Sequence, residues 1–209
     1  MAAPCIDWVA QLNATGYAIV PSGLDQTALS AVTAAAERAA PQADRGGTRD
    51  LFAYPEIRAL ATGPALRSLA VLALGPDALA VRAILFDKTP DANWKVAWHQ
   101  DVTIAVRTRR DVPGFGPWSI KAGVAHVQAP NDVLRDMVAV RLHLDDCGPA
   151  NGPLRVLPGT HRAGKLAPQD LADVPTRVAE AVCLARRGDV LLMRPLLVHA
   201  SSAATSPAH

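Results

Sequence analysis

The chain has 209 residues, of which 50% are hydrophobic and 19% are charged, and its formal net charge is +2. This length is enough for one domain with a full hydrophobic core. The small charge excess predicts no attraction to nucleic acid or to a membrane surface, and no apolar stretch reaches the roughly 18 residues of a membrane span. Cys5, Cys147 and Cys183 form no CxxC pair, which favours reduced thiols in the cytoplasm.

The first third of the sequence has the composition of helices. Residues 25–40 are rich in alanine and predict a helix that Pro41 would end. Pro64 suits the first turn of a second helix, and Gly75 would stop it. We therefore expect a helical layer over about residues 1–76.

Beyond this layer the sequence changes to short β-rich runs separated by Pro, Gly and Asn-Gly. One short helix is predicted among them, with Asn131 as its N-cap. Residues 107–121 predict either a solvated surface loop or a flap over a pocket. A single domain over 1–209 is expected, with a β-sandwich or barrel over about 77–209. The predicted strands cover residues 79–86, 96–106, 123–128, 137–144, 154–157 and 190–193.

Two His-x-Asp motifs offer metal ligands. His99 and Asp101 would project from the same face of an extended segment, and His199 could complete a set of two histidines and one carboxylate. Such a set leaves coordination positions open and suits non-haem Fe(II) that binds oxygen. His143 and Asp145 form a second His-x-Asp upstream of the same His199, so spacing alone does not choose between the two motifs.

Other catalytic patterns have little support. Residues 159–165 match the phosphate-loop pattern GxxxxGK, but Leu166 stands where a hydroxyl must hold Mg²⁺, and Pro168 interrupts the following helix. The sequence contains neither the GxSxG of a nucleophile elbow nor the HExxH of a zinc protease. Nucleotide binding and these hydrolase classes are therefore not predicted.

Three motifs together resemble the phytanoyl-CoA dioxygenase family. They are Trp98-His99-Gln100-Asp101, then Asn-Gly-Pro-Leu-Arg-Val-Leu-Pro-Gly-Thr-His at 151–161, then Gly-Asp-Val-Leu-Leu-Met at 188–193 with His199-Ala-Ser201. The resemblance runs from about Arg49 to the end. It implies a double-stranded β-helix, a cupin-like jelly roll. It also implies a dioxygenase that uses Fe(II), 2-oxoglutarate and O₂ to hydroxylate a small molecule, releasing succinate and CO₂.

The same resemblance assigns roles to individual residues. His99, Asp101 and His199 would be the iron ligands, which leaves His143 as a structural residue. The resemblance also implies a basic residue ten or eleven positions after the distal histidine, a position just beyond His209. We therefore expect a longer natural chain that continues with this arginine and a final strand. The implied contacts to 2-oxoglutarate or to its pocket are Gln100, Ser201, Arg49, Arg141 and Ile84.

Two alternatives stay open at this stage. One is a non-catalytic β-roll that binds a small ligand or a metal, and the other is a cupin-like zinc or manganese enzyme that does not use 2-oxoglutarate. The sequence does not identify the substrate. The basic residues around Trp118 indicate an anionic molecule; they are Arg107, Arg109, Arg110 and Lys121.

Overall fold

The computed structural model describes residues 7–40, 47–49, 51–121 and 123–206. Cys5, the predicted helix end at Pro41 and the expected continuation past His209 lie outside these ranges. The helices are α1 (Trp8–Thr15), α2 (Gln26–Ala39), α3 (Pro55–Thr62), α4 (Pro64–Leu74), α5 (Asn131–Arg135) and α6 (Pro168–Arg177). The strands are β1 (Tyr17–Pro21), β2 (Val96–His99), β3 (Thr103–Val106), β4 (Trp118–Lys121), β5 (Val124–Gln128), β6 (Ala139–Leu142), β7 (Leu154–Val156), β8 (Ala181–Cys183), β9 (Asp189–Met193) and β10 (His199–Ser201).

The strands form antiparallel sheets with the orders β1-β9-β6, β2-β10-β7-β8 and β3-β5-β4. The first two sheets face each other across a core that contains Leu154 and Val156 of β7 and Leu191 and Met193 of β9. The opposite face of β9 packs on the helices, since Leu192 clusters with residues of α1 and α4. This arrangement confirms the predicted mainly β class with helices and a jelly-roll core.

Both predicted N-terminal helices are confirmed. The carboxylate of Asp25 accepts a hydrogen bond from Ala28 N at 2.8 Å and so caps α2. Pro64 begins α4, and Gly75 ends it with φ +101°, a conformation that side chains rarely adopt. No single helix in the described ranges is long and apolar enough to span a membrane, although α3 and α4, bent by 44°, reach that length and composition as a pair.

The N-terminal third also supplies a strand, which the composition did not predict. β1 pairs with β9 along its whole length, from Tyr17 opposite Met193 to Pro21 opposite Asp189. Ala18 is fully buried in the cluster that joins this sheet to the helices. The N-terminal third therefore supplies one strand of the β-core, β1, as well as helices that cover it.

Residues 79–86 are extended but do not form the predicted strand; their only described pairing is an isolated bridge between Leu85 and Thr48. Ala83 and Leu85 pack on the cluster formed by α2 and α3. Because side chains alternate along an extended chain, the other face of this segment carries Arg82, Ile84 and Phe86.

The predicted N-cap at Asn131 is wrong. Pro130 occupies the cap position and Asn131 is the first residue of α5. The Asn131 Oδ1 atom instead accepts a hydrogen bond from Lys165 N at 2.9 Å. Its side chain thus anchors the segment that precedes α6.

Candidate metal centre and the charges around it

The residues His99, Asp101 and His199 converge at one end of the β2–β10 pair. His99 and His199 are direct partners in this antiparallel pair, and their ring centroids lie 4.1 Å apart. The Asp101 carboxylate reaches both rings, with Oδ1 3.9 Å from His99 Nε2 and Oδ2 3.7 Å from His199 Nε2. The candidate ligand atoms all lie within 4.8 Å of one another.

Backbone carbonyls orient both imidazoles. Nδ1 of His99 lies 2.8 Å from Ala97 O, and Nδ1 of His199 lies 2.8 Å from Leu197 O. Each contact favours the tautomer in which Nδ1–H donates, so Nε2 keeps its lone pair toward the other ligands. This outer hydrogen bond is a common feature of metal-binding histidines.

The three side chains differ in exposure. The His199 side chain is 6% exposed, whereas those of His99 and Asp101 are 36% and 55% exposed. Burial is the main cause that lowers the pKa of His199, against the opposing effect of the Asp101 charge. A neutral His199 is the form that can ligate a metal. The site therefore has a buried side at His199 and an open side at Asp101.

The set fits one divalent metal ion. Metal–nitrogen and metal–oxygen bonds of about 2.1 Å allow one ion to join two atoms that lie up to about 4.2 Å apart. The distances of 3.7 and 3.9 Å from Asp101 to the two imidazoles are within that reach. Two imidazoles and a carboxylate are also the donor set of non-haem iron oxygenases.

Gln100 stands between His99 and Asp101 in the sequence, and its buried side chain points away from both of them. Its amide nitrogen donates to Gly164 O at 2.9 Å and to Leu196 O at 2.7 Å, and its oxygen accepts from Leu166 N at 2.8 Å. The side chain thus holds together the backbone segments around the site. Its predicted contact with 2-oxoglutarate stays a prediction.

Ser201 and Arg141 lie on the buried side of the centre. Ser201 pairs with Leu154, and Arg141 pairs with Leu191, so both share the inner faces of the sheets. The Ser201 hydroxyl accepts a hydrogen bond from Lys88 Nζ at 3.2 Å.

Arg141 has no ion-pair partner among the described residues. Its guanidinium lies 5.5 Å from the centre of the Phe86 ring. Burial lowers the pKa of Arg141, and the Arg141 charge in turn helps to lower the pKa of His199. An uncompensated cation therefore faces the inner side of the metal centre.

Arg49 lines a separate cavity of about 110 Å³, whose lining includes neither Arg141 nor Ser201. Arg82, Lys121 and His126 line the same cavity. The Asp101 charge acts on Arg82, so this cavity lies near Asp101, the most exposed of the three candidate ligands. Ile84 lies on the same face of the extended segment as Arg82, which lines this cavity, and Phe86, whose ring lies near the Arg141 guanidinium.

The second His-x-Asp motif does not join a metal set in the described ranges. His143 is buried, and its Nε2 has no hydrogen-bond partner among the described residues. Burial, with the Arg141 charge, lowers its pKa to about 4. The structure therefore distinguishes two motifs that the sequence could not.

The segment 107–121 is only partly a loop, because its last residues form β4, which pairs with β5. Phe115 packs against the buried cluster around Leu134. Arg107, Arg109 and Arg110 are exposed and do not line the cavity; of the four cations noted in the sequence, Lys121 does. Whether the rest of the segment moves as a flap stays a prediction.

Comparison with known proteins agrees with this geometry. The sequence profile of the phytanoyl-CoA dioxygenase (PhyH) family matches residues 12–209. The jelly roll with its two histidines and one carboxylate belongs to the class of non-haem metal oxygenases. The chain is a member of the phytanoyl-CoA dioxygenase family, and its cofactors are accordingly Fe(II) and 2-oxoglutarate. No curated protein matches by sequence.

Solved structures share the fold. The chain is 20% identical to the non-haem α-ketoglutarate-dependent carbocyclase SnoK from nogalamycin biosynthesis, with TM-score 0.71 over 97% of this chain and 79% of SnoK. It is 18% identical to the epimerase SnoN in complex with Fe³⁺, α-ketoglutarate and nogalamycin RO, with TM-score 0.65 over 96% and 77% of the two chains. It is 19% identical to EctD from S. alaskensis with 2-oxoglutarate and 5-hydroxyectoine, with TM-score 0.70 over 95% and 70%.

Sequence reasoning missed Lys88, Arg82 and His126 as residues of the site. Lys88 lies near the extended segment that was predicted as a strand. Arg82 and His126 meet only through the fold, since they are 44 positions apart. No local motif marks either of them.

Proposed function

We propose that this protein hydroxylates a small organic molecule, with His99, Asp101 and His199 holding the iron. The convergence of these three side chains, with both Nε2 atoms facing the carboxylate, is the observation that carries the proposal. Bound Fe(II) and 2-oxoglutarate supply the oxidation: one atom of O₂ enters succinate, the other enters the substrate, and CO₂ leaves.

The chain's own residues prepare this chemistry. The carbonyls of Ala97 and Leu197 fix the imidazole tautomers. Asp101 is positioned by its own backbone N–H, which donates to Pro195 O at 2.9 Å. Gln100 is a positioning residue, because it ties down the segments on both sides of the ligands. A rigid set of ligands of this kind keeps the coordination geometry fixed before the cosubstrate arrives.

Arg141 and Ser201 are proposed to contact 2-oxoglutarate on the buried side of the centre. A guanidinium presents a planar pair of donors that matches a carboxylate. The position of Arg141, inside the roll and without an acidic partner in the described ranges, supports this role. Ile84 would form the wall next to them. The predicted contact of Arg49 with 2-oxoglutarate stays a prediction, since Arg49 lines a cavity that includes neither Arg141 nor Ser201.

Hydroxylation is the outcome that we propose, although SnoK is a carbocyclase and SnoN is an epimerase. We also propose that the protein works in the cytoplasm on a freely diffusing small molecule. Cys147 and Cys183, which are free thiols in the structure, support a reducing compartment.

The test is turnover with purified protein. Fe(II), 2-oxoglutarate and O₂ should give succinate and CO₂, slowly without substrate and faster when an accepted substrate is added. His99→Ala and Asp101→Ala should each abolish succinate formation, while His143→Ala, the change in the second motif that matches His99→Ala, should retain it. Succinate formation that is equal in the wild type and in Asp101→Ala would contradict the proposal.

A further inference from the structure

A second group of cations, separate from Arg141, lines the cavity on the open side of the metal centre. Arg82 NH1 lies 3.0 Å from His126 Nε2. His126 is 2% exposed, and its Nδ1 lies 2.9 Å from Val124 O. Because Nδ1–H donates to this carbonyl, Nε2 accepts from Arg82, and the imidazole is neutral. Arg82 therefore has a polar partner but forms no ion pair with a described residue.

Two more cations face the same space. Arg49 lines the cavity, and its Nε is buried without a hydrogen-bond partner in the described part of the chain. Lys121 also lines it, and its Nζ contacts the hydroxyl of Thr103 at 3.3 Å. None of the three cations forms an ion pair with a described carboxylate. Charges removed from water are normally paired, and no carboxylate in the described ranges pairs with these half-buried cations.

The position of the cavity connects it to the metal centre. Thr103, which Lys121 contacts, follows Asp101 by two residues on the same segment. Burial and the Arg49 charge lower the pKa of Arg82, and the Asp101 charge acts in the opposite direction. The Asp101 side of the centre is also its exposed side. A ligand held in this cavity would therefore lie next to the open face of the metal.

The cavity suits one chemical group rather than a whole ligand. Its volume of about 110 Å³ is well below the roughly 300–1,000 Å³ of pockets that enclose a complete small molecule. Its rim is apolar and accessible, since Val81 and Val124 are partly exposed there. An anionic head with an apolar body attached to it matches these features.

We propose that this cavity binds an oxyanion group of the primary substrate, a carboxylate, sulfate or phosphate, through Arg82, Lys121 and Arg49. The inference rests on the proposed function, in which 2-oxoglutarate uses the Arg141 side. It adds the substrate class: an organic acid whose reacting carbon is positioned by its anionic group. Arg82 and Lys121 would be specificity-determining residues.

Binding can be measured without turnover, on protein loaded with Mn²⁺ and 2-oxoglutarate under nitrogen. The probes are inorganic phosphate, phenylacetate and phenylacetamide, the last being a neutral analogue of nearly the same shape. Calorimetry should show binding of phosphate and phenylacetate at millimolar concentrations and at least 10-fold weaker binding of phenylacetamide. Equal binding of the acid and the amide, or no binding of either anion, would overturn the proposal.

Single substitutions of the cavity residues test where the anion binds. Arg82→Met and Lys121→Met should each weaken phenylacetate binding at least 10-fold and leave the affinity for 2-oxoglutarate unchanged, while Arg82→Lys should retain part of the binding. Arg110→Met removes an exposed arginine from the same region and is the matched control. Thermal melting and circular dichroism establish that each variant is folded.

Two results separate this inference from the proposed function. If Arg82→Met lowers the affinity for 2-oxoglutarate and not for phenylacetate, the cavity serves the cosubstrate and the inference is wrong, while the oxygenase activity stands. If the wild type binds the anions as expected but never forms succinate, the proposed function is wrong and the anion site remains.

Discussion

The side-chain oxygen of Gln100 accepts a hydrogen bond from Leu166 N at 2.8 Å, across 66 positions of the sequence. The amide nitrogen of the same side chain donates to two further backbone carbonyls. Because Gln100 stands between His99 and Asp101, these contacts fix the strand end that carries two of the three proposed metal ligands.

We predict that Gln100→Leu lowers the free energy of unfolding by about 2–4 kcal/mol, because each buried polar group that loses its partner costs about 1–3 kcal/mol. Urea denaturation measures this change. Gln169→Leu, at an exposed position of α6, should change stability by less than about 0.5 kcal/mol. A Gln100→Leu protein as stable as the wild type would show that these hydrogen bonds do not contribute to the free energy of unfolding.

The metal ligands give a second prediction. His99→Ala, Asp101→Ala and His199→Ala should each weaken Mn²⁺ binding by more than about 100-fold, since changes in the outer shell alone cost 10- to 100-fold. Calorimetric titration with Mn²⁺ measures the affinity. His143→Ala should bind Mn²⁺ as the wild type does. The reverse result, with loss in His143→Ala and retention in His99→Ala, would mean that the other His-x-Asp motif holds the metal.

Arg141 is predicted to anchor 2-oxoglutarate. Arg141→Met should weaken 2-oxoglutarate binding to the Mn²⁺-loaded protein by roughly 10- to 100-fold, as expected from losing a hydrogen bond to a charged group. Arg155→Met is the control, because Arg155 lies on the outer face, where it pairs with Glu180 at 3.0 Å. Unchanged affinity in Arg141→Met would remove this residue from the cosubstrate site.

His143 predicts a dependence of stability on pH. Its pKa is about 4 in the folded protein against 6.5 for the ordinary side chain, so the unfolded chain binds the proton more tightly. Stability from this residue is therefore fully present above pH 6.5 and is lost as the pH falls toward 4.

The loss between pH 7.5 and 4.5 should reach roughly 2.5 kcal/mol. Urea denaturation of the wild type and of His143→Leu at both pH values measures it, since the other groups titrate in both proteins. His143→Leu should show the smaller decrease in stability. Equal decreases in the two proteins would indicate that His143 titrates normally.

The sequence predicted the features that depend on local signals. The alanine content of residues 25–40 predicted α2, and Pro64 and Gly75 predicted α4. The family motifs pointed to the three side chains that converge in the structure. Segments whose structure depends on distant partners were missed. β1 exists because β9 pairs with it, and Asn131 accepts its hydrogen bond from Lys165 rather than from its own helix.

The cation-lined cavity could not be predicted for the same reason. Arg82 belongs to a segment whose apolar alternation resembled a strand, and His126 had no carboxylate two positions later. Arg82 NH1 and His126 Nε2 come within 3.0 Å although the two residues are 44 positions apart, and His126 lies on β5, which pairs with β3, the strand that follows Asp101. The sequence suggested Arg107, Arg109 and Arg110 as contacts of an anionic substrate, but their side chains are exposed.

The direct pairing of His99 with His199 has a consequence for the stability of the fold. The two residues are separated by about 100 positions of the sequence, and an ion bound to both would close that length of chain into a loop. A covalent cross-link that closes a loop of this size stabilises a protein by roughly 5 kcal/mol, through the entropy of the unfolded state. Iron in this protein would therefore act as a cross-link between β2 and β10. Its removal should separate β10 from β2 before the sheet formed by β1, β9 and β6 opens.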